Sequence, residues 1–289
     1  MHLPKQPTSS TFDANRDPRE GKVNPSEMDT KVVRGVTLRK DPARESCFKV
    51  VDTDAEMAAW ADMSAQSLRE RLHRHMNNEM TSLDIAAQCL ADFPDAPWDL
   101  RMQLARQSWD ESRHVTALHR RLRQIGGFKG EFPVANFEWT VTCFLDSLVG
   151  RLTLQNRTFE AGAMDLMASL PGKWREAGDD ETADLLDSIA ADEIQHVRFA
   201  NQWIRKLTSE DKRLLFKVAH AVRFLAQVNA AFAPAPGETN VVGEAVDAGW
   251  VAPINVADRE LAEFSEGEIA EILRQAGFTA LASREETRA

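Results

Sequence analysis

The stretch Ser108-Trp-Asp-Glu-Ser-Arg-His114, SWDESRH, sets a histidine three residues after the second of two acids, and Ala191-Asp-Glu-Ile-Gln-His196, ADEIQH, repeats the arrangement further along the chain. Both read D-E-x-x-H. Residues three apart on an α-helix share a face, so each stretch offers a carboxylate and an imidazole side by side. One such motif is commonplace on a solvated helix. Two copies call for a search for partners.

The partners are two glutamates in matched settings. Glu79-Met-Thr-Ser-Leu-Asp84-Ile and Glu160-Ala-Gly-Ala-Met-Asp165-Leu share the pattern E-x4-D-apolar. Glu79 precedes Glu111 by 32 residues and Glu160 precedes Glu193 by 33. Helical periodicity surrounds all four. A first helix is expected from about residue 65 to 91, with Leu68, Leu72, Met76, Leu83 and Leu90 in phase, until DFPDAPW (92–98) breaks it. A second runs from about 99 to 123, and a third from about 137 to 170 after the connection IGGFKGEFPVANF. The fourth covers about 181–207.

In an antiparallel helix pair, residues equally far from the connecting loop lie at one height. Glu79 and Glu111 are each about 16 residues from the loop near Asp95, roughly 24 Å along the helix. Glu160 and Glu193 are similarly placed about a loop near Ala177. Four carboxylates and two imidazoles (Glu79, Glu111, His114, Glu160, Glu193, His196) are thus expected to meet at mid-height. Glu79 shares its stripe with Leu72, Met76, Leu83 and Ala86, and Glu193 with Leu186, Ile189, Val197 and Ala200. Buried carboxylates without compensation cost many kcal/mol, and two divalent metal ions remove that cost. These six residues are the expected metal ligands and catalytic centre.

Asp110 and Asp192 point about 100° away from the adjacent glutamates and can reach an imidazole N–H on a neighbouring helix. The expected pairing is crossed, Asp110 with His196 and Asp192 with His114. Asp84 and Asp165 point away from the metals, as helix-packing groups or exposed ones. His75, four residues before Glu79, reads as part of a solvated RLHRH face rather than as an extra ligand or base. Trp109 and Phe159 read as packing residues.

Composition narrows the functional classes. A net charge of −10 disfavours a nucleic acid as main ligand. The basic runs RERLHRH (69–75) and HRRLR (119–123) read as solvated helix faces. No apolar run approaches a membrane span, and residues 1–22 lack the apolar centre of a signal peptide. Cys47, Cys89 and Cys143 are scattered, which fits a reducing, cytoplasmic setting. There is no tyrosine, so no mechanism can store an oxidising equivalent on a tyrosyl radical. The expected organisation is an extended or disordered arm (1–64), a helical bundle (65–208) and a helical extension (209–289) with a last short helix near 265–276.

Residues 70–205 resemble the ferritin-like superfamily of dimetal carboxylate proteins. More narrowly they resemble a bacterial ferritin-like family with an E-x4-D-[LI] helix, a D-E-x-x-H helix, a long "GG…FP" connection and a second D-E-x-x-H. The likeness extends to WVAPINVADRELAEFS (250–265). It implies an all-α, ferritin-like four-helix bundle holding two iron ions, or Mn/Fe or Mn/Mn, on the six residues named above. It implies fold and metal rather than reaction.

If the second and third helices run parallel, Gln107, Ser108, Thr153, Asn156 and Arg157 gather at one polar end of the site as a candidate substrate pocket. Leu72, Met76, Val115, Leu118, Met164, Met167 and Ile189 gather at an apolar end. Arg157 either receives an anionic group or pairs with Glu160 or another neighbour. The favoured function is oxidation of a small organic substrate with O2 as co-substrate, with a separate electron donor and a homodimeric assembly. Ferroxidase or iron storage is the alternative, ahead of manganese catalase and tRNA hydroxylase.

Overall fold

The computed structural model describes residues 28–241 and 253–276, and these are mostly helical. α1 (Ala65–Asp92) starts at Ser64, whose side chain accepts from the Ser67 N–H, and it stops at Phe93, before Pro94. The turn through residues 93–97 returns the chain into α2 (Trp98–Gln124), which packs antiparallel along α1. α7 (Asp180–Glu210), capped by Asp179, lies against α2 and against the helices that precede it.

Each long helix carries one buried stripe. On α2 it runs Leu100, Leu104, Gln107, Glu111, His114, Leu118, Leu122, and on α7 Leu186, Ile189, Glu193, His196, Ala200, Trp203, Leu207. The spacing of three and four is that of a core-facing helix, but mid-stripe the residue type changes from apolar to acid and imidazole. The core divides accordingly. One apolar cluster holds Ile85, Phe93, Leu100, Leu104, Leu152 and Leu207. Another holds Leu72, Met76, Leu118, Leu122, Leu186 and Ile189. The acidic layer lies between them, with apolar packing at both ends.

The third expected helix departs most from the sequence reading. Instead of one run over 137–170 the chain forms α3 (Phe137–Thr142), α4 (Leu148–Leu154), a π-helical turn (Gln155–Glu160), α5 (Ala161–Met167) and α6 (Leu170–Glu176). Arg151, fully buried, accounts for the first break. Its guanidinium binds the Cys143 and Leu145 carbonyls, which the interrupted helix leaves free, and pairs with Asp92 at 2.7 Å. Pro171 at the start of α6 explains the last break. Asn156 donates to Gln107, 49 residues earlier, and Glu111 lies beside Glu160 at the same offset, so α2 and this segment run in the same direction.

Outside the long helices, the described part of the arm is more ordered than the sequence reading held, and the C-terminal extension carries the expected last helix. The described part of the expected arm forms a hairpin, β1 (Thr30–Val33) with β2 (Val36–Arg39), whose Val33, Val36 and Leu38 are buried against α8 (Leu214–Phe232) and α4. Strands of four residues are too short for alternation to stand out in the sequence. Residues 1–27 lie outside the described residues. At the other end, α9 (Val256–Leu261) and α10 (Glu266–Gln275) pack on α5 and α7 through Phe264, Ile269 and Leu273. Arg259 there forms a buried pair with Asp165 at 2.6 Å, and Asp84 pairs with Arg44 at 2.5 Å. Asp165 therefore ties α5 to α9, and Asp84 ties α1 to the segment after β2. Of the stretch 250–265, residues 250–252 lie outside the described residues. Among the described residues, no helix is long and apolar enough to cross a membrane.

His73 and Gly130 tie α1 to the connection after α2. The Gly130 N–H donates to His73 Nε2 at 2.9 Å, and an added Cβ at Gly130 would stand 2.2 Å from the Cys47 carbonyl oxygen. Burial pushes His73 down from its ordinary 6.5 to about 4, against a weaker opposing pull from Glu131. The neutral ring is the folded form, so its contribution is complete above pH 6.5 and is lost as pH falls from 6.5 towards 4. Urea midpoints should therefore fall across that window more steeply for the wild type than for His73→Gln, which should be the less stable of the two at pH 7.5.

Candidate metal centre

The acidic layer is assembled by four segments. α1 supplies Glu79, α2 supplies Glu111 and His114, the π-helical turn supplies Glu160, and α7 supplies Glu193 and His196. All six are buried. They form two overlapping groups, Glu79–Glu111–His114–Glu193 and Glu111–Glu160–Glu193–His196, and within each group the ligand atoms lie within 4.8 Å of one another. Glu111 and Glu193 belong to both groups, while each group has its own outer glutamate and its own histidine.

The imidazoles are oriented from behind. His114 turns Nδ1 inward, 3.2 Å from Glu79 Oε2 and 3.1 Å from Glu111 Oε2, and its Nε2 is 3.1 Å from Asp192 Oδ2. His196 turns Nδ1 towards Glu111 and Glu193, at 3.3 and 3.4 Å, with Nε2 3.5 Å from Asp110 Oδ2. Each aspartate lies beside the expected histidine, with a hydrogen-bond distance for His114 and Asp192 and a longer contact for His196, whose Nε2 has no hydrogen-bond partner among the described residues. Arg113, which the sequence reading passed over, spans the two aspartates at 2.5 and 2.9 Å, and Arg106 adds a bond to Asp110. Its position three residues after Asp110 was the available signal.

The electrostatics show what the layer costs when only protons balance it. Burial, then the charges of Glu193 and Glu79, push the Glu111 carboxyl well above the usual range. Burial and Glu193 push Glu160 up to about 8. Burial also acts on Glu79, but hydrogen bonds from His114 and His75 outweigh it and hold that carboxyl well below the usual range. Burial opposes protonation of His114, yet the bonds to Glu111 and Glu79 raise it to about 11. His196 is likewise raised well above its ordinary value, against burial, by Glu193 and Asp110. Protons are thus distributed over a cluster with more negative groups than it can leave charged. Glu193 Oε1 is buried without a hydrogen-bond partner among the described residues. Carboxylates and imidazoles in this number suit divalent ions such as iron or manganese, and the buried cluster could hold a metal ion.

The remaining sequence-selected residues fall into two sets. Gln107 and Asn156 are buried under Glu160: both amides donate to its carboxylate, and Asn156 also donates to the Gln107 carbonyl oxygen. Gln155, absent from the sequence reading, joins them by bridging Ser82 and Glu160. Ser108 and Thr153 spend their hydroxyls on the Leu104 and Val149 carbonyls of their own helices. Arg157 points the other way, to Asn201 at 3.0 Å and to Glu268 of α10, with its guanidinium over Phe264. None of these five lines the cavity beside the carboxylates.

That cavity, of about 410 Å3, opens at the apolar end rather than at the polar end expected to hold the substrate pocket. Leu72, Met167, Leu170, Trp174 and Leu186 form its apolar wall, and Glu79, Glu160 and Glu193 face it. His75 lines it too, with Nε2 2.7 Å from Glu79 Oε1. The reading of His75 as a solvated residue is corrected: its place one turn before Glu79 carries it onto the ligand face. Glu138, a further carboxylate of the cavity with no motif to mark it, is pushed up by burial to about 7. Phe159 packs edge-on to Phe137 at the cavity's edge, whereas Trp109 stands exposed on the outer face of α2.

A family model described as "Protein of unknown function (DUF455)" matches residues 4–270, and the chain belongs to that family. No curated protein and no solved structure matches it.

The overlap of the two groups sets an expectation for metal content. Equilibrium dialysis against Mn(II) should find two ions per chain in the wild type. Glu79→Ala should retain one, and Glu193→Ala, which removes a member of both groups, should retain none, with circular dichroism unchanged in both variants.

Proposed function

We propose that this DUF455 member is an O2-dependent oxidase or oxygenase of a small organic molecule, working at a dimetal centre in a ferritin-like bundle. The observation that carries the reading is the adjacency of two overlapping carboxylate–imidazole groups to a cavity of about 410 Å3, within the range of small-molecule sites. Glu111 and Glu193 would be shared by the two metal ions, Glu79 and His114 would complete one set, and Glu160 and His196 the other. Iron is the favoured metal, with Mn/Fe and Mn/Mn as variants. Such a pair lets O2 take four electrons, two from the substrate and two from the metals, which a separate donor then restores.

The chain's own residues prepare that chemistry. Asp192 holds the outer nitrogen of His114, Asp110 lies 3.5 Å from that of His196, and both rings leave Nδ1 facing the carboxylates. Gln107 and Asn156 fix Glu160 from below, while His75 holds the outer oxygen of Glu79 on the cavity side. The apolar wall would seat the body of the substrate and keep water from the reacting face. Since Glu79, Glu160 and Glu193 all face the cavity, a molecule within it lies against both groups.

Anaerobic loading with two equivalents of Fe(II), followed by O2 addition and oxygen-electrode recording, tests this reading. The expected result is rapid O2 uptake limited to the bound iron and absent in Glu111→Ala, with renewed turnover when a reductant and a substrate from a small-molecule screen are supplied. Continued iron oxidation, with mineral accumulating well beyond two ions per chain, would instead make the protein a ferroxidase.

A further inference from the structure

The cavity beside the carboxylates has a charge pattern that bears on what it admits. Each basic side chain on its wall is already engaged. Arg71 pairs with Asp62 at 2.5 Å and bonds the Ser67 hydroxyl, and Arg74 pairs with Glu70 at 2.6 Å. His75 is bound to Glu79. On the reading above, Glu79, Glu111, Glu160 and Glu193 together carry four negative charges, which two divalent ions neutralise. One carboxylate of the wall is then left over.

That carboxylate is Glu138, on the short helix α3. Among the described residues no Lys, Arg or His forms an ion pair with it, and the nearby Gln155 side chain is a neutral amide whose hydrogen bonds go to Ser82 and Glu160. It lines the main cavity and also a smaller one of about 190 Å3 that shares Arg74, Asn78 and Phe159 with it. A carboxylate without a cationic partner, on the wall of a partly desolvated space whose other charged groups are paired or neutralised, attracts a cation far more strongly than it would in water. It also repels an anion of the same shape, so it discriminates by charge.

We propose that the cavity selects a cationic organic molecule, an amine or ammonium compound whose charged end lies at Glu138 and whose apolar body lies against Leu72, Met167, Leu170, Trp174 and Leu186. Glu138 is then a specificity-determining residue outside the metal ligand set. The proposal rests on the dimetal reading, because it is the two ions that neutralise the other carboxylates.

Calorimetric titration of the Mn(II)-loaded chain with hexyltrimethylammonium tests it, since a quaternary nitrogen has no lone pair to offer a metal. Heptanol and heptanoate serve as neutral and anionic probes of similar length. The ammonium probe should bind about tenfold or more tightly than heptanol. Glu138→Gln should bring the two level while leaving two Mn(II) per chain, and Glu138→Asp should keep part of the preference. Ala163→Phe, which fills the cavity, should abolish binding of all three. A preference for heptanoate, an unchanged ammonium affinity in Glu138→Gln, or no binding of the ammonium probe would overturn the assignment of Glu138. With two Mn(II) still bound, any of those results leaves the dimetal reading standing. A chain that takes up no Mn(II) sinks both together.

Discussion

Four carboxylates in one buried layer repel one another, and most of this fold is arranged around that repulsion. The two long helices α2 and α7 pack through apolar stripes that give way to acid and imidazole at mid-height, while the turn that supplies Glu160 buries amides beside it. Apolar clusters then flank the layer on both sides, and a cavity reaches it past the second of them. Surface glutamates would cost almost nothing, but these sit where water cannot screen them. Such a layer is tolerable only with cations inside it, and the two inward-facing imidazoles are the cations the chain itself can supply.

The consequence is a site held rigid from behind and exchangeable within. Outside the layer, Asp110, Asp192, Arg106 and Arg113 form a continuous ionic chain that holds His114 and runs beside His196. Beneath it, amides that cannot titrate hold Glu160. Inside, protons occupy positions that a divalent ion would take over, so metal uptake and proton release belong to one equilibrium. The two outer glutamates differ in company: Glu160 meets only amide donors on its outer side, whereas Glu79 meets His75 at the cavity.

How much of this the sequence shows depends on the range of the interaction. The six clustered residues are legible because helical phase is a local property and the two halves of the chain state it twice. The crossed aspartates follow from the same phase. The broken third helix is not legible, because its cause is Arg151 reaching carbonyls six and eight residues back and Asp92 on another helix. Arg157 was given two roles, and its partners came from α7, 44 residues away, and from α10, more than a hundred residues away. The side on which the cavity opens was misjudged for a similar reason. Gln107 and Asn156 are polar, but they fill their space by bonding to each other and to Glu160, while the large apolar residues opposite fail to close theirs. Polarity in a sequence says which groups need partners and not whether those partners leave a void.

The π-helical turn that presents Glu160 has an implication for how this chain can change over time. Such a turn is an α-helix carrying one residue too many, kept because its neighbours hold it open. Loss of any single residue from 155–160 would let the segment rewind and would carry every side chain before the turn about 100° around the axis relative to those after it. Asn156 would leave Glu160, and Arg157 would leave α10. Point substitutions in this segment can be absorbed one at a time, but a one-residue indel would disrupt the amide cradle and the C-terminal latch together. In lineages of this family that keep both, its length should drift more slowly than its composition.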